Sequence, residues 1–162
     1  FITHNQMVMP NHIRELWDNR LYGCMTCQEV CPINRKVQPK YRKPDYGYVG
    51  SSLPLISILQ MNEKEYRERF GKNQIGEWWV NFGAIQRNST IALGNIGDPA
   101  AIPVLAQTLK KSRSAIVKMH AAWALGKIGG QDAWFGLKQA LGMKQNPEVR
   151  KEIEDALKQM SK

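Results

Sequence analysis

The sequence is short of cysteine and short of acid, and it has no long apolar run. Its three cysteines, Cys24, Cys27 and Cys31, all lie between positions 24 and 31. An odd, clustered set cannot build a disulfide framework. It points instead to metal chemistry in a reducing compartment, so a cytoplasmic location is expected. No stretch of about 18 apolar residues occurs, which excludes a helix that crosses a membrane. No basic n-region followed by an apolar h-region opens the chain, so no signal peptide is read. The first residue is Phe1, and the natural chain is expected to begin upstream of it. Acidic residues number 14 against 23 lysines and arginines, for a net charge of +9. That deficit suits an anionic partner, nucleic acid being the commonest, but by itself it equally describes a basic face that merely meets solvent.

Hydrophobic residues make up 43% of the 162, enough for a modest core in one domain or two small ones. Residues 1–50 are irregular, broken by Pro10, Pro32, Pro39 and Pro44. A short helix over 11–20 is predicted there, with Ile13, Leu16 and Trp17 on its apolar side. Residues 35–43 carry Arg35, Lys36, Lys40, Arg42 and Lys43 with no acid among them, and 46–52 reads as a loop. Residues 51–83 form a helical connector and cap. Leu55, Ile58 and Leu59 recur at helical spacing, and Asn62 with Glu65 reads as a capping box opening a helix that ends at Gly71. Trp78 and Trp79, in the connection that follows, are read as packing residues rather than as a platform for bases.

Residues 84–162 repeat themselves. Ile85, Val117 and Val149 stand 32 positions apart, as do the pairs Ala92–Leu93, Ala124–Leu125 and Ala156–Leu157. Ile96, Ile128 and Met160 follow the same register, and Leu105 and Leu109 match Leu137 and Leu141. Within a unit, Val117, Ala121, Ala124, Leu125 and Ile128 form one helical stripe. Gly97 and the Gly129–Gly130 pair terminate helices; Asp98–Pro99 and Asn146–Pro147 start them. Each unit is a pair of antiparallel helices that must stack on its neighbours to bury its stripe. The fold class is therefore all-α, a HEAT-like α-solenoid preceded by a loop-rich segment.

That segment holds the chemistry. Cys24, Cys27 and Cys31–Pro32 spell C-x2-C-x3-C-P, the ending of the two-cluster ferredoxin run, whose last cysteine serves the other cluster. The run's first cysteine would fall at position 21, which is Leu21. A [4Fe–4S] site completed from outside the chain suits this spacing, with Cys24 and Cys27 on one cluster and Cys31 on its neighbour. A zinc site is the alternative, with His4 or His12 as a fourth ligand; a third possibility is that the thiols bind nothing. His120, beside the repeat stripe, is read as structural.

The string from Asn19 through Cys31–Pro32, followed by Arg87–Asn88 and Ile91–Ala92–Leu93–Gly94–Asn95, resembles the C-terminal part of the epoxyqueuosine reductase family. The resemblance covers nearly the whole chain. It implies a partial ferredoxin-like iron–sulfur segment over 1–50 ahead of the HEAT-like repeats. It also implies that the parent protein carries cobalamin on a separate domain and reduces epoxyqueuosine to queuosine in tRNA. The cysteines would relay electrons, supplied by a donor protein. Arg35, Lys36, Lys40, Arg42, Lys43, Lys110, Lys111, Arg113 and Lys118 are the candidate tRNA phosphate contacts, on a chain expected to be a monomer. Two departures stand out: Ile33 follows Cys31–Pro32 where the family usually has Trp, and Gly76–Glu77–Trp78–Trp79 replaces a basic connection. A paralogue with another substrate fits these departures. So does a non-catalytic HEAT scaffold with a structural metal site and a protein ligand.

Overall fold

Helix-capping residues divide the second half of the chain into five helices. The computed structural model describes residues 3–37 and 52–161. Asn81, Ser114 and Asn146 each accept a backbone N–H with their side chains, opening α5 (Phe82–Ile96), α7 (Ala115–Ile128) and α9 (Pro147–Met160). Between them lie α6 (Ile102–Lys111) and α8 (Gln131–Leu141). The predicted Asp98–Pro99 start is present: Asp98 accepts from Ala100 N at 2.9 Å and opens a 3-10 turn that runs into α6. Gly97, at φ +74°, ends α5 in the left-handed region that glycine enters without cost.

α5, α7 and α9 lie side by side as one layer, with α6 and α8 as the second. The 32-residue register is what this layer buries. Ile85, Val117, Val149, Leu105, Leu125 and Leu137 are all fully buried, and Leu93 and Leu157 nearly so. One repeat position departs from expectation: Ile96, the last residue of α5, is 53% exposed. The helices of the first layer approach closely through glycine as well as the expected alanines. A Cβ on Gly94 would sit 2.9 Å from Ala124 Cα, and one on Gly126 would sit 2.8 Å from Ala156 Cβ.

Ahead of the repeats, α3 (Leu55–Gln60) packs on both α5 and α6 and so covers the open end of the stack. The capping box of α4 (Glu63–Phe70) is formed in both directions, Glu65 N to Asn62 Oδ1 at 3.0 Å and Asn62 N to Glu65 Oε2 at 2.9 Å. Tyr66, Phe70, Ile75, Val80 and Phe82 make a smaller core that takes in Leu21. The Tyr66 hydroxyl donates to Ile75 O at 2.6 Å, and burial pushes its pKa up. Trp78 and Trp79 do not join this core. They are 83% and 55% exposed, the reverse of the packing role expected, while Ile75 and Val80 on either side are buried. Among the described residues, no helix is long and apolar enough to cross a membrane.

Candidate iron–sulfur segment and basic surface

Residues 3–21 are strapped across the α5–α7–α9 layer by polar side chains that rise from it. Asn88 donates to Thr3 O at 3.0 Å and to Leu21 O at 2.8 Å. Arg87 donates to Met7 O at 2.8 Å, and Asn95 reaches Arg14 O at 2.8 Å and Asp18 O at 3.0 Å. From α7, His120 Nε2 accepts from Met9 N at 3.0 Å, while its Nδ1 lies 2.7 Å from Ile116 O. Those partners fix the tautomer: Nδ1 carries the proton and the ring is neutral. Burial, with Arg14 and Arg87 nearby, pulls the His120 pKa down to about 3, and burial lowers that of Arg87 to about 10. His120 is thus structural, as read from the sequence.

α1 (Asn11–Leu16) is shorter than predicted, and its inward face differs. Trp17 is buried and Ile13 half-buried, but Leu16 is 75% exposed. Arg14 takes the inward position instead. It is held by Met9 O and by an ion pair with Glu152 on α9, so the helix turns toward charge complementarity rather than toward its leucine. These anchors escaped sequence reasoning. The available signal was the placement of Arg87, Asn88, Asn95 and His120 on the repeat helices of the first layer, where an apolar stripe would otherwise run.

The strap delivers the cysteines. Leu21, where the ferredoxin run would have its first thiol, is buried and has its carbonyl fixed by Asn88. Gly23, at φ +68°, turns the chain out of the core, and α2 (Thr26–Glu29) follows. Cys24 and Cys27 line one cavity of about 790 Å³, together with Trp17, Leu16, Ile13 and His4. Cys31, half-buried beyond α2, is not part of that lining. The Cys24 thiol sits 3.2 Å from Thr26 Oγ1; that contact, and more weakly Arg20, hold its pKa below the ordinary thiol value. Among the described residues, no three His, Cys, Asp or Glu side chains come together as a metal-ion site. His12 is exposed, and His4 packs edge-on against Tyr22 at 4.6 Å. The donor set fits a group held by two thiolates from this segment, with its remaining ligands contributed from elsewhere.

The basic candidates divide. Arg35 and Lys36 lie exposed on a 3-10 turn, Asn34–Lys36, while Lys40, Arg42 and Lys43 lie outside the described residues. Lys110 and Lys118 are positioned by amides, Gln139 Oε1 at 2.6 Å and Gln145 Oε1 at 3.2 Å. Lys111 and Arg113 line an open groove of about 920 Å³ with Gln86, Gln107 and the start of α5. These four side chains come from the end of α6, the α6–α7 loop and the first turns of α7, which together form one edge of the stack.

Known proteins resemble the chain over most of its length. The family described as HEAT repeats matches residues 81–158. Epoxyqueuosine reductase of Bacillus subtilis (strain 168) is 33% identical over 162 residues, covering 97% of this chain and 40% of that protein. An uncharacterized protein encoded in the gldA 3' region of Geobacillus stearothermophilus is 35% identical over 163 residues, covering 94% of this chain and 70% of that protein. Among solved structures, a selenomethionine-labelled epoxyqueuosine reductase superposes with a TM-score of 0.83 at 31% identity, over 98% of this chain and 42% of its own. An epoxyqueuosine reductase solved with an epoxyqueuosine-modified tRNA-Tyr stem loop superposes with a TM-score of 0.79 at 30% identity, over 99% and 43%. The chain therefore spans about two fifths of the length of the relatives that carry a functional name.

Proposed function

The chain belongs to the epoxyqueuosine reductase family, and from that premise we propose that it is the electron-relay and RNA-holding part of a reductase acting on tRNA-bound epoxyqueuosine. The observation that carries this reading is a cysteine pair whose segment is fixed to the repeats. The Cys24–Cys27 pair shares a cavity wall, and the segment that bears it is pinned to the α5–α7–α9 layer by Arg14, Arg87, Asn88, Asn95 and His120. Residues 1–50 then act as a partial ferredoxin-like segment, 51–83 as connector and cap, and 84–162 as HEAT-like repeats.

Cys24 and Cys27 would hold one [4Fe–4S] cluster and Cys31 its neighbour, with the other ligands from outside this chain. Such clusters supply one-electron transfer; cobalamin would be carried on another domain of the parent protein. The chain's own contribution is positional. Trp17 lines the cysteine cavity, Leu21 is buried in the small core just ahead of it, Thr26 favours the Cys24 thiolate, and the strap holds the redox segment to the repeats.

Lys110, Lys111, Arg113 and Lys118 are the proposed phosphate contacts on the repeats, with Arg35 and Lys36, and Lys40, Arg42 and Lys43 beyond the described residues, extending the charge. Binding of tRNA should weaken steeply with salt, since each neutralised phosphate releases counterions. Reversing Lys110, Lys111 and Arg113 to Glu should flatten the salt slope by roughly 2–3 and weaken all tRNAs alike, because phosphate contacts position rather than specify. A folded triple variant with wild-type affinity and slope would remove these residues from the interface. A wild-type chain with no affinity for tRNA would favour the scaffold reading.

A further inference from the structure

Two tryptophans stand in water on a loop that the protein has gone to some length to fix. Trp78 and Trp79 meet edge to face, with ring centroids 5.6 Å apart at 82°. Indoles of this size are ordinarily buried or seated at an interface. The loop beneath them is not slack. One Arg67 guanidinium donates to Gly76 O at 2.9 Å, Glu77 O at 2.6 Å and Val80 O at 2.7 Å, gripping the backbone on both sides of the pair. Ile75 and Val80 are buried at either end. Gly76 admits no side chain at all, since a Cβ there would lie 1.9 Å from Phe70 O. The pair is therefore presented outward from a preorganised turn.

Cations border its neighbourhood, alongside one acid of the loop itself, Glu77. The loop leads within three residues into Phe82 and Gly83, which line the same groove as Lys111 and Arg113. Of the acids nearby, Glu63 is neutralised by Arg67 at 3.2 Å. In a second exposed aromatic pair among the described residues, Trp134 and Phe135, Lys138 already covers the Trp134 ring at 5.3 Å.

We propose that Trp78 and Trp79 are a stacking platform for an unpaired RNA base, set beside the phosphate contacts of the α6–α7 loop. The inference rests on the RNA-binding reading above and adds to it a preference for single-stranded over fully paired RNA. Aromatic faces accept any base, and Lys111 with Arg113 supplies the charge that an apolar protein partner would not require.

The test compares the wild-type chain, Trp78→Ala/Trp79→Ala and Trp78→Phe/Trp79→Phe. Each is titrated with a tRNA anticodon stem loop and with a blunt RNA duplex of equal phosphate number, across a salt series. The alanine pair should lose roughly ten-fold or more in affinity for the stem loop. Its salt slope should be unchanged, because stacking releases no counterions, and it should bind the duplex like wild type. The phenylalanine pair should retain most of the affinity. In a Trp134→Phe background, the stem loop should also quench wild-type indole emission, since Trp17 and Trp123 are buried. This measurement stands even where the alanine pair fails to fold. Wild-type affinity in a folded alanine pair, an equal loss on the duplex, or no quenching would overturn the proposal. Absence of any wild-type binding to RNA would instead sink the reading on which it rests.

Discussion

Acid should loosen the strap through His120 before it titrates the carboxylates. In the folded chain the ring accepts from Met9 N at 3.0 Å, and its other nitrogen faces Ile116 O at 2.7 Å. A second proton would turn the Met9 contact into two facing donors, inside a shell that also holds Arg14 and Arg87. The folded pKa is thus depressed to about 3, against about 6.5 in the unfolded chain. The sign follows from proton counts. As pH falls below about 6.5 the unfolded chain takes up a proton that the folded chain refuses, so stability declines, and it goes on declining until the pH nears 3. The stabilisation is complete above pH 6.5. One proton sets the steepest slope at about 1.4 kcal/mol per pH unit. Carboxylates ordinarily titrate near pH 4, so the window from pH 6.5 to 5 isolates the histidine. Urea melts of wild type and His120→Gln at half-unit intervals would measure it. Gln can still accept from Met9 but does not titrate. Wild type should lose stability across the window while the variant stays nearly flat. Parallel curves would show that His120 is not held neutral and that the strap geometry is wrong.

Further expectations concern the repeats. Leu125→Ala, at a fully buried position between layers, should cost about 2–5 kcal/mol in denaturant melts. Lys127→Ala breaks only an exposed pair with Glu15 at 3.5 Å and should cost less than about 0.5 kcal/mol; equal effects would contradict the register. Gly94→Ala sets a helix-propensity gain of up to about 1 kcal/mol against overpacking of about 1–3 kcal/mol. The new Cβ would meet Ala124 Cα and Trp123 Cζ3, each at 2.9 Å, so net destabilisation is expected, and a raised melting temperature would refute the close approach.

The repeats were legible because their buried positions recur. A period of 32 in Ile85, Val117 and Val149 can be read without coordinates, and the caps at Asn62, Asp98 and Asn146 are local chemistry. The family resemblance was legible from the spacing of Cys24, Cys27 and Cys31 together with those repeats. The strap was not. Its hydrogen bonds join Thr3 to Asn88 and Met9 to His120, partners so far apart in sequence that no local pattern links them. The same blindness misplaced Leu16, since the preference for Arg14 on the inward face depends on Glu152 at the far end of the chain. It also misread Trp78 and Trp79, whose exposure follows from Arg67 gripping the loop rather than from the residues' own apolarity.

Cys24 and Cys27 are proposed to face one cluster site and Cys31 another, on a segment fixed to repeats proposed to hold RNA. Metal content tests it most directly. Protein expressed from the complete gene, purified and reconstituted without oxygen, should hold about eight irons per chain, the content of two [4Fe–4S] clusters. The double variant Cys24→Ala/Cys27→Ala should fall to about four while keeping the helical spectrum of the repeats. Stoichiometric zinc without iron, or an iron content indifferent to both cysteines, would contradict the account.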